Sequence, residues 1–205
     1  MCYRYYIAPK SLEMEPLVLE ALSSPLLKRL IKEPDQGLIT SGEVRPTNVA
    51  PVIATSRGGE KAVFPMKWGF QIPGRSLVIN ARSETAAIKP TFRDSWAAHR
   101  CIVPASSYIE WEHFVDESGR KKTGDKYRIR PITGQLTYLC GLYRIEAGLP
   151  VFTVLTRDPS DSVRRIHDRM PLILPEDLIA PWINPTTDPT ELLPYALTEM
   201  ELEIC

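Results

Sequence analysis

The chain has 205 residues, 43% hydrophobic and 24% charged, and its 25 Lys and Arg balance 25 Asp and Glu, so one globular domain spanning 1–205 with a sizeable core is expected. No stretch approaches a membrane span, and residues 1–10 carry three tyrosines and a proline where a secretory signal would need an apolar run, so a cytoplasmic protein is expected. The four cysteines (Cys2, Cys101, Cys140, Cys205) are far apart with no Cys-x-x-Cys pair, which argues against both a disulfide framework and a zinc site.

In chain order, the first informative residue is Cys2, directly behind Met1. Removing Met1 would leave a thiol and a free α-amine on one residue, with acidity constants near ~8.5 and ~8, and such a 1,2-aminothiol captures aldehydes. Residues 11–32 show helical spacing, broken at Ser24-Pro25 into two short helices. Strands are predicted at 52–55, 62–70, 77–79, 101–103, 108–112, 126–130, 136–143 and 151–156, with short helices at 91–98, 158–166 and 175–183. Residues 117–125 read as a hairpin loop, and 19 prolines interrupt the rest. This pattern predicts an α+β fold of curved, mostly antiparallel sheet with short flanking helices.

The charges are segregated along the chain. Between 61 and 100 seven basic residues face only Glu84 and Asp94, whereas from 176 to 205 every charged residue is acidic, reading as an acidic tail from about 184. Trp68, Phe70, Phe92 and Trp96 lie among the basic residues, as stacking on unpaired bases requires, though the same four rings would serve equally in a core.

Three local contexts carry acid/base or gripping groups. In Val78-Ile79-Asn80-Ala81-Arg82-Ser83-Glu84-Thr85 an apolar strand ends in polar residues, placing Asn80 and Arg82 at a strand end. Alternation along Tyr108-Ile109-Glu110-Trp111-Glu112 puts two carboxylates on one side, and a Glu110 desolvated by aromatic neighbours would titrate near neutrality. His167 sits in Arg165-Ile166-His167-Asp168-Arg169-Met170-Pro171, where a helical pattern gives way to a proline-restricted segment. His99 and His113 have no adjoining constellation, and no metal-ligand spacing occurs, so neither metal nor cofactor is expected.

Five motifs in order, Met1-Cys2-Tyr3-Arg4, Lys67-Trp68-Gly69-Phe70, Ile79 to Thr85 with Lys89-Pro90-Thr91-Phe92-Arg93, Arg100 to Ala105 through Trp111, and Ile166 to Pro171, together resemble the SOS response-associated peptidase (SRAP) domain family. Members of that family begin Met-Cys-Gly-Arg and shield abasic sites in single-stranded DNA. The resemblance implies that the Cys2 amine attacks the ring-opened abasic sugar to form a Schiff base, which the thiol closes to a thiazolidine. By position, Asn80 would hold the Cys2 end and the sugar, Glu110 would shuttle protons, and His167 would assist closure and reversal. Arg4, Arg82, Arg93 and Arg169 would contact DNA, with Trp68 and Phe92 as wedges or stacking surfaces. Tyr3 departs from the family glycine, which matters if that glycine serves a positive φ or a close DNA approach. Thiol autopeptidase action on Met1, lyase action through the Schiff base, and non-covalent binding of single-stranded DNA are the alternatives; a monomer is expected.

Overall fold

The computed structural model describes residues 2–31 and 37–205; Met1 and residue 32, the end of the predicted helical stretch, lie outside the described residues. The elements are β1 (Arg4–Ile7), α1 (Met14–Ser23), α2 (Leu27–Leu30), β2 (Gly42–Val44), β3 (Val49–Thr55), β4 (Lys61–Trp68), β5 (Asn80–Arg82), α3 (Ser83–Ala86), α4 (Arg93–Ala98), β6 (Arg100–Ala105), β7 (Ser107–Val115), β8 (Lys121–Pro131), β9 (Thr137–Glu146), β10 (Leu149–Arg157), α5 (Asp161–Arg164), β11 (Met170–Pro171), α6 (Ile179–Ile183) and β12 (Met200–Ile204). Two 3-10 segments, Glu176–Leu178 and Pro189–Tyr195, flank α6. Among the described residues no helix is long and apolar enough to cross a membrane.

The break between α1 and α2 falls where the sequence places it. Pro25 disfavours a helical residue before it, so Ser24 is extended (φ −69°, ψ 130°), and its hydroxyl then accepts from the Leu26 amide at 3.3 Å. Helix α1 buries Met14, Val18 and Ala21, the i, i+4, i+7 stripe of an amphipathic helix.

The predicted α+β class and curved antiparallel sheet are observed. Strands β4, β3, β6, β9 and β10 pair antiparallel in that order, and β10 then runs parallel to β4, closing a five-stranded barrel without free edges. The second sheet, β12-β8-β7-β1-β2, is antiparallel throughout. Tyr5 and Tyr108, cross-strand partners on β1 and β7, are fully buried, and the Tyr5 ring lies 5.4 Å from Trp68 of the barrel, so the two sheets share one core.

One junction positions the candidate site. Along β10, Val151 and Phe152 face Lys67 and Trp68 of β4, and Val154 to Thr156 then face β5. The chain leaves β4 at Gly69, whose φ of +116° suits glycine and whose amide donates to Phe152 O at 2.7 Å. A Cβ there would meet Leu77 at 2.5 Å. Gly69→Ala is therefore expected to cost about 2–4 kcal/mol, from a strained backbone and an overpacked neighbour together. Urea unfolding followed by circular dichroism measures it, and an unchanged midpoint would contradict this account.

Three expectations fail here. The strand predicted at 77–79 is offset: Val78 pairs back with Phe70, and the β10 ladder starts at Asn80. The acidic tail is not a tail: Met200–Ile204 pairs with β8, where Glu201 meets Arg130 at 2.8 Å. The basic segment also loses a member, because Arg100 is 1% exposed and donates to the carbonyls of Trp96, Ala97, Trp182, Asn184 and Thr187. Five carbonyl acceptors offset the desolvation of one guanidinium, which makes Arg100 a strut between α4 and α6.

Candidate active site

Cys2 lies just ahead of β1, the strand held between β7 and β2, and is 1% exposed. Its thiol donates to Arg4 O at 3.5 Å, and burial, with the Glu110 charge second, pushes its acidity constant far up. Asn80, first residue of β5, reaches across from the barrel and donates from Nδ2 to Cys2 O at 2.9 Å. Asn80 Oδ1 is buried and finds no hydrogen-bond partner among the described residues.

Pairing of Arg4 with Ile109 leaves Glu110 one residue farther along β7, beside the segment that carries Cys2. Glu110 is 3% exposed, and burial raises its acidity constant to about 7. His167 enters from the segment between α5 and β11, and burial lowers its constant to about 4. Near neutral pH the carboxyl is thus half protonated and the imidazole uncharged. His167 Nδ1 lies 3.0 Å from the Arg169 amide and 2.8 Å from Asp168 Oδ1. Accepting from the amide needs a bare Nδ1 and donating to Asp168 a protonated one, so the two contacts belong to different tautomers.

The rim carries charge and aromatic surface. Glu43 of β2 gathers Lys126 at 2.6 Å, Arg4 at 2.7 Å and Arg45 at 3.0 Å, and these cations hold it down at about 2. Arg4 and Lys126 also lie over the Trp111 ring, at 5.0 and 5.7 Å from its centroid. Tyr3, 48% exposed, borders the same cleft, of about 510 Å³, as Arg45, Glu110 and His167. Tyr3 is not among the residues with positive φ, so the backbone at this position does not require glycine.

Of the predicted site residues, Cys2 and Asn80 are joined directly, and Glu110 and His167 share one cluster facing them. Arg4, Arg82 and Arg93 keep solvent access, Arg93 with an ion pair to Asp94 at 3.3 Å. Three expectations are corrected by burial. Trp68 is fully enclosed, stacked on Phe152 at 5.9 Å and donating from Nε1 to Ile79 O at 2.9 Å, so it presents no face to a base. Phe92 packs against Phe70 and is 7% exposed. Arg169 is 8% exposed and spent on protein acceptors: both Glu84 oxygens at 2.9 Å, Asp158, and Thr156 O at 2.9 Å. It ties the His167 segment to α3, which follows the strand that begins with Asn80, and so links the elements that carry two predicted site residues.

The residue that sequence reasoning set aside is His113. Alternation would send it to the face opposite Glu110, but β7 and β8 shift register between Trp111 and His113. The His113 amide donates to Ile166 O at 3.0 Å, and its ring meets the His167 ring edge-on at 5.2 Å. Glu110, His113 and His167 place one ligand-type atom each within 4.8 Å of one another. Arg45, Lys126 and Glu43 were likewise unmarked, since nothing in the local sequence announces that β2 and β8 meet at Arg4.

Known proteins resemble this chain in sequence and in fold. A protein from Bacillus subtilis named abasic site processing protein YoaM is 34% identical over 181 residues, 78% of each chain, and the one named YobE is 35% identical over 184 residues, 80% of this chain and 82% of its own. A crystal structure of a protein from Bacteroides thetaiotaomicron superposes with a TM-score of 0.71 at 21% identity, covering 99% of this chain and 91% of that one, which shows the shared fold. Residues 1–204 match the profile of the SOS response associated peptidase (SRAP) family. With that profile matched over almost the whole length, and with Asn80 bonded to Cys2 and Glu110 clustered with His167, the chain belongs to the SRAP family.

Proposed function

We propose that this protein processes abasic sites in single-stranded DNA by covalent capture on Cys2, once Met1 has been removed. The observation that carries this reading is the Asn80 hydrogen bond to Cys2 O, which holds the chain end beside a buried carboxyl that titrates near neutrality. The relatives named abasic site processing proteins support the choice of substrate.

The chemistry follows from the groups present. The α-amine adds to the C1′ aldehyde of the open sugar, and loss of water gives an imine, with protonated Glu110 supplying the proton that leaves with the hydroxyl. The thiol then adds to the imine carbon and its proton passes to the ring nitrogen, so aldehyde and aminothiol become thiazolidine and one water. Burial keeps the Cys2 thiol protonated at neutral pH, so closure needs a base, and Glu110 as carboxylate or uncharged His167 provides one. Asn80 Oδ1 is an acceptor for the ammonium or a sugar hydroxyl. Exposed Arg82 and Arg93, with Arg4 and Arg45 at the rim, meet phosphates.

The test is the intact mass of the Met1-free protein after incubation with a single-stranded oligonucleotide containing one abasic site. A heat-stable adduct equal to protein plus oligonucleotide minus water is expected; its absence would overturn covalent capture. In the same assay Tyr3 is expected to stack on a base next to the lesion, so Tyr3→Ala weakens initial binding roughly tenfold, within the ~1–3 kcal/mol of a base–aromatic contact, and leaves the closure rate unchanged. Equal affinities of the two proteins would remove Tyr3 from the interface.

A further inference from the structure

We propose that Glu110, His113 and His167 form a binding site for a divalent transition-metal cation, best matched by zinc, whose occupancy switches crosslinking off. The donor set is two imidazoles and one carboxylate, one ligand-type atom from each lying within 4.8 Å of the others. In a tetrahedral zinc site those atoms stand about 3.4 Å apart, given bonds of about 2.1 Å, so side-chain rotations that draw them in by roughly an ångström complete the set. Magnesium and calcium favour oxygen donors and suit it poorly.

Three independent features support the site. Strands β7 and β8 shift register between Trp111 and His113, where His113 lies close to Glu110, and the His113 amide, donating to Ile166 O, fixes β7 against the His167 segment. Asp168 Oδ1, 2.8 Å from His167 Nδ1, is placed to accept a proton there, which leaves Nε2 bare for the metal in a carboxylate–histidine–metal arrangement. His113 is exposed and borders two clefts together with His167, one of which Glu110 also lines, so an ion has a way in.

The switch, as distinct from the site, rests on the functional reading above. A bound cation takes the Glu110 carboxylate and the His167 imidazole out of proton transfer, so zinc and crosslinking exclude each other. His113 takes no part in the proposed reaction, which separates the two roles.

The experiment titrates the Met1-free protein with cobalt(II), followed by visible ligand-field absorption, and with competing zinc, for wild type, His113→Ala and Cys2→Ala; crosslinking is then timed with EDTA and with zinc. Expected are a cobalt band in wild type and Cys2→Ala, zinc affinity at least tenfold weaker in His113→Ala, crosslinking in EDTA by both wild type and His113→Ala, and, at the zinc concentration that halves the wild-type rate relative to EDTA, a clearly smaller loss for His113→Ala relative to its own rate in EDTA. Equal metal affinity in His113→Ala would overturn the site, as would a band lost in Cys2→Ala alone, which would place the metal on the aminothiol. An absent adduct in EDTA overturns the functional reading and the switch with it, while the cobalt titration judges the site separately.

Discussion

Cys2→Ala is expected to abolish the heat-stable adduct with an abasic oligonucleotide while leaving a species that borohydride traps. Alanine keeps the α-amine, so the imine still forms, but no second nucleophile remains to close the five-membered ring. The open imine then either hydrolyses or eliminates the 3′ phosphate, so strand scission should rise in the variant as the stable adduct disappears. The loss is all-or-none because Cys101 and Cys140 are buried in the core and neither carries a free amine. Cys2 is itself buried, so the substitution leaves a small cavity costing on the order of 1 kcal/mol, which a melting curve separates from the chemical effect. A heat-stable adduct persisting in Cys2→Ala would place the bond elsewhere and end the thiazolidine reading.

Glu110→Gln is expected to slow crosslinking at pH 7 by roughly 10²–10⁴, the usual range for a lost proton-transfer group, and to flatten its pH profile near 7. The same variant reports on stability. The Glu110 constant is raised in the fold from 4.5 to about 7, so the native state binds the extra proton between those values. Its contribution is complete below the unfolded value and is lost as pH rises through about 7. Glutamine never ionises, so above pH 7 the variant should exceed wild type by roughly 3 kcal/mol, with no such gain below pH 4.5. His167 has the opposite sign: lowered to about 4, it contributes stability that is present above its unfolded value of 6.5 and lost as pH falls toward 4. That contribution is common to both proteins and cancels in their difference. A wild-type-minus-variant curve flat from pH 4 to 9 would show that Glu110 is not desolvated, and an unaltered rate would take it out of the chemistry.

Much of the fold was legible because its barrel strands announce themselves locally. The predicted strands at 52–55, 101–103 and 151–156 fall inside β3, β6 and β10, and that at 136–143 begins one residue before β9; the apolar runs of these strands are largely buried on both faces. The short outer strands were not legible. Strand β1 has four residues, two of them tyrosines, and β12 alternates acidic with apolar side chains, so each acquires strand character only from its partner. The strand end at 77–79 misled because Val78 and Ile79 carry the apolar signal while the hydrogen-bonded ladder begins at Asn80. That offset puts Asn80 in a strand, where its side-chain direction is set by the pleat and its amide can meet Cys2.

By itself the sequence determined the α+β class and, through motif resemblance, singled out Cys2, Asn80, Glu110 and His167 as candidates, because helix breaks, apolar runs and fixed motifs are properties of neighbouring residues. Only the tertiary structure decided which cations and rings remain available. Trp68, Phe92, Arg100 and Arg169 have the composition of a nucleic-acid surface, yet closing the barrel and docking α4, α6 and the His167 segment turns them into core rings and struts. The same holds for His113, which joins Glu110 through a register shift between β7 and β8 that local alternation cannot foresee. Burial and register are set by partners distant in sequence, whereas chemical type is set by the residue alone.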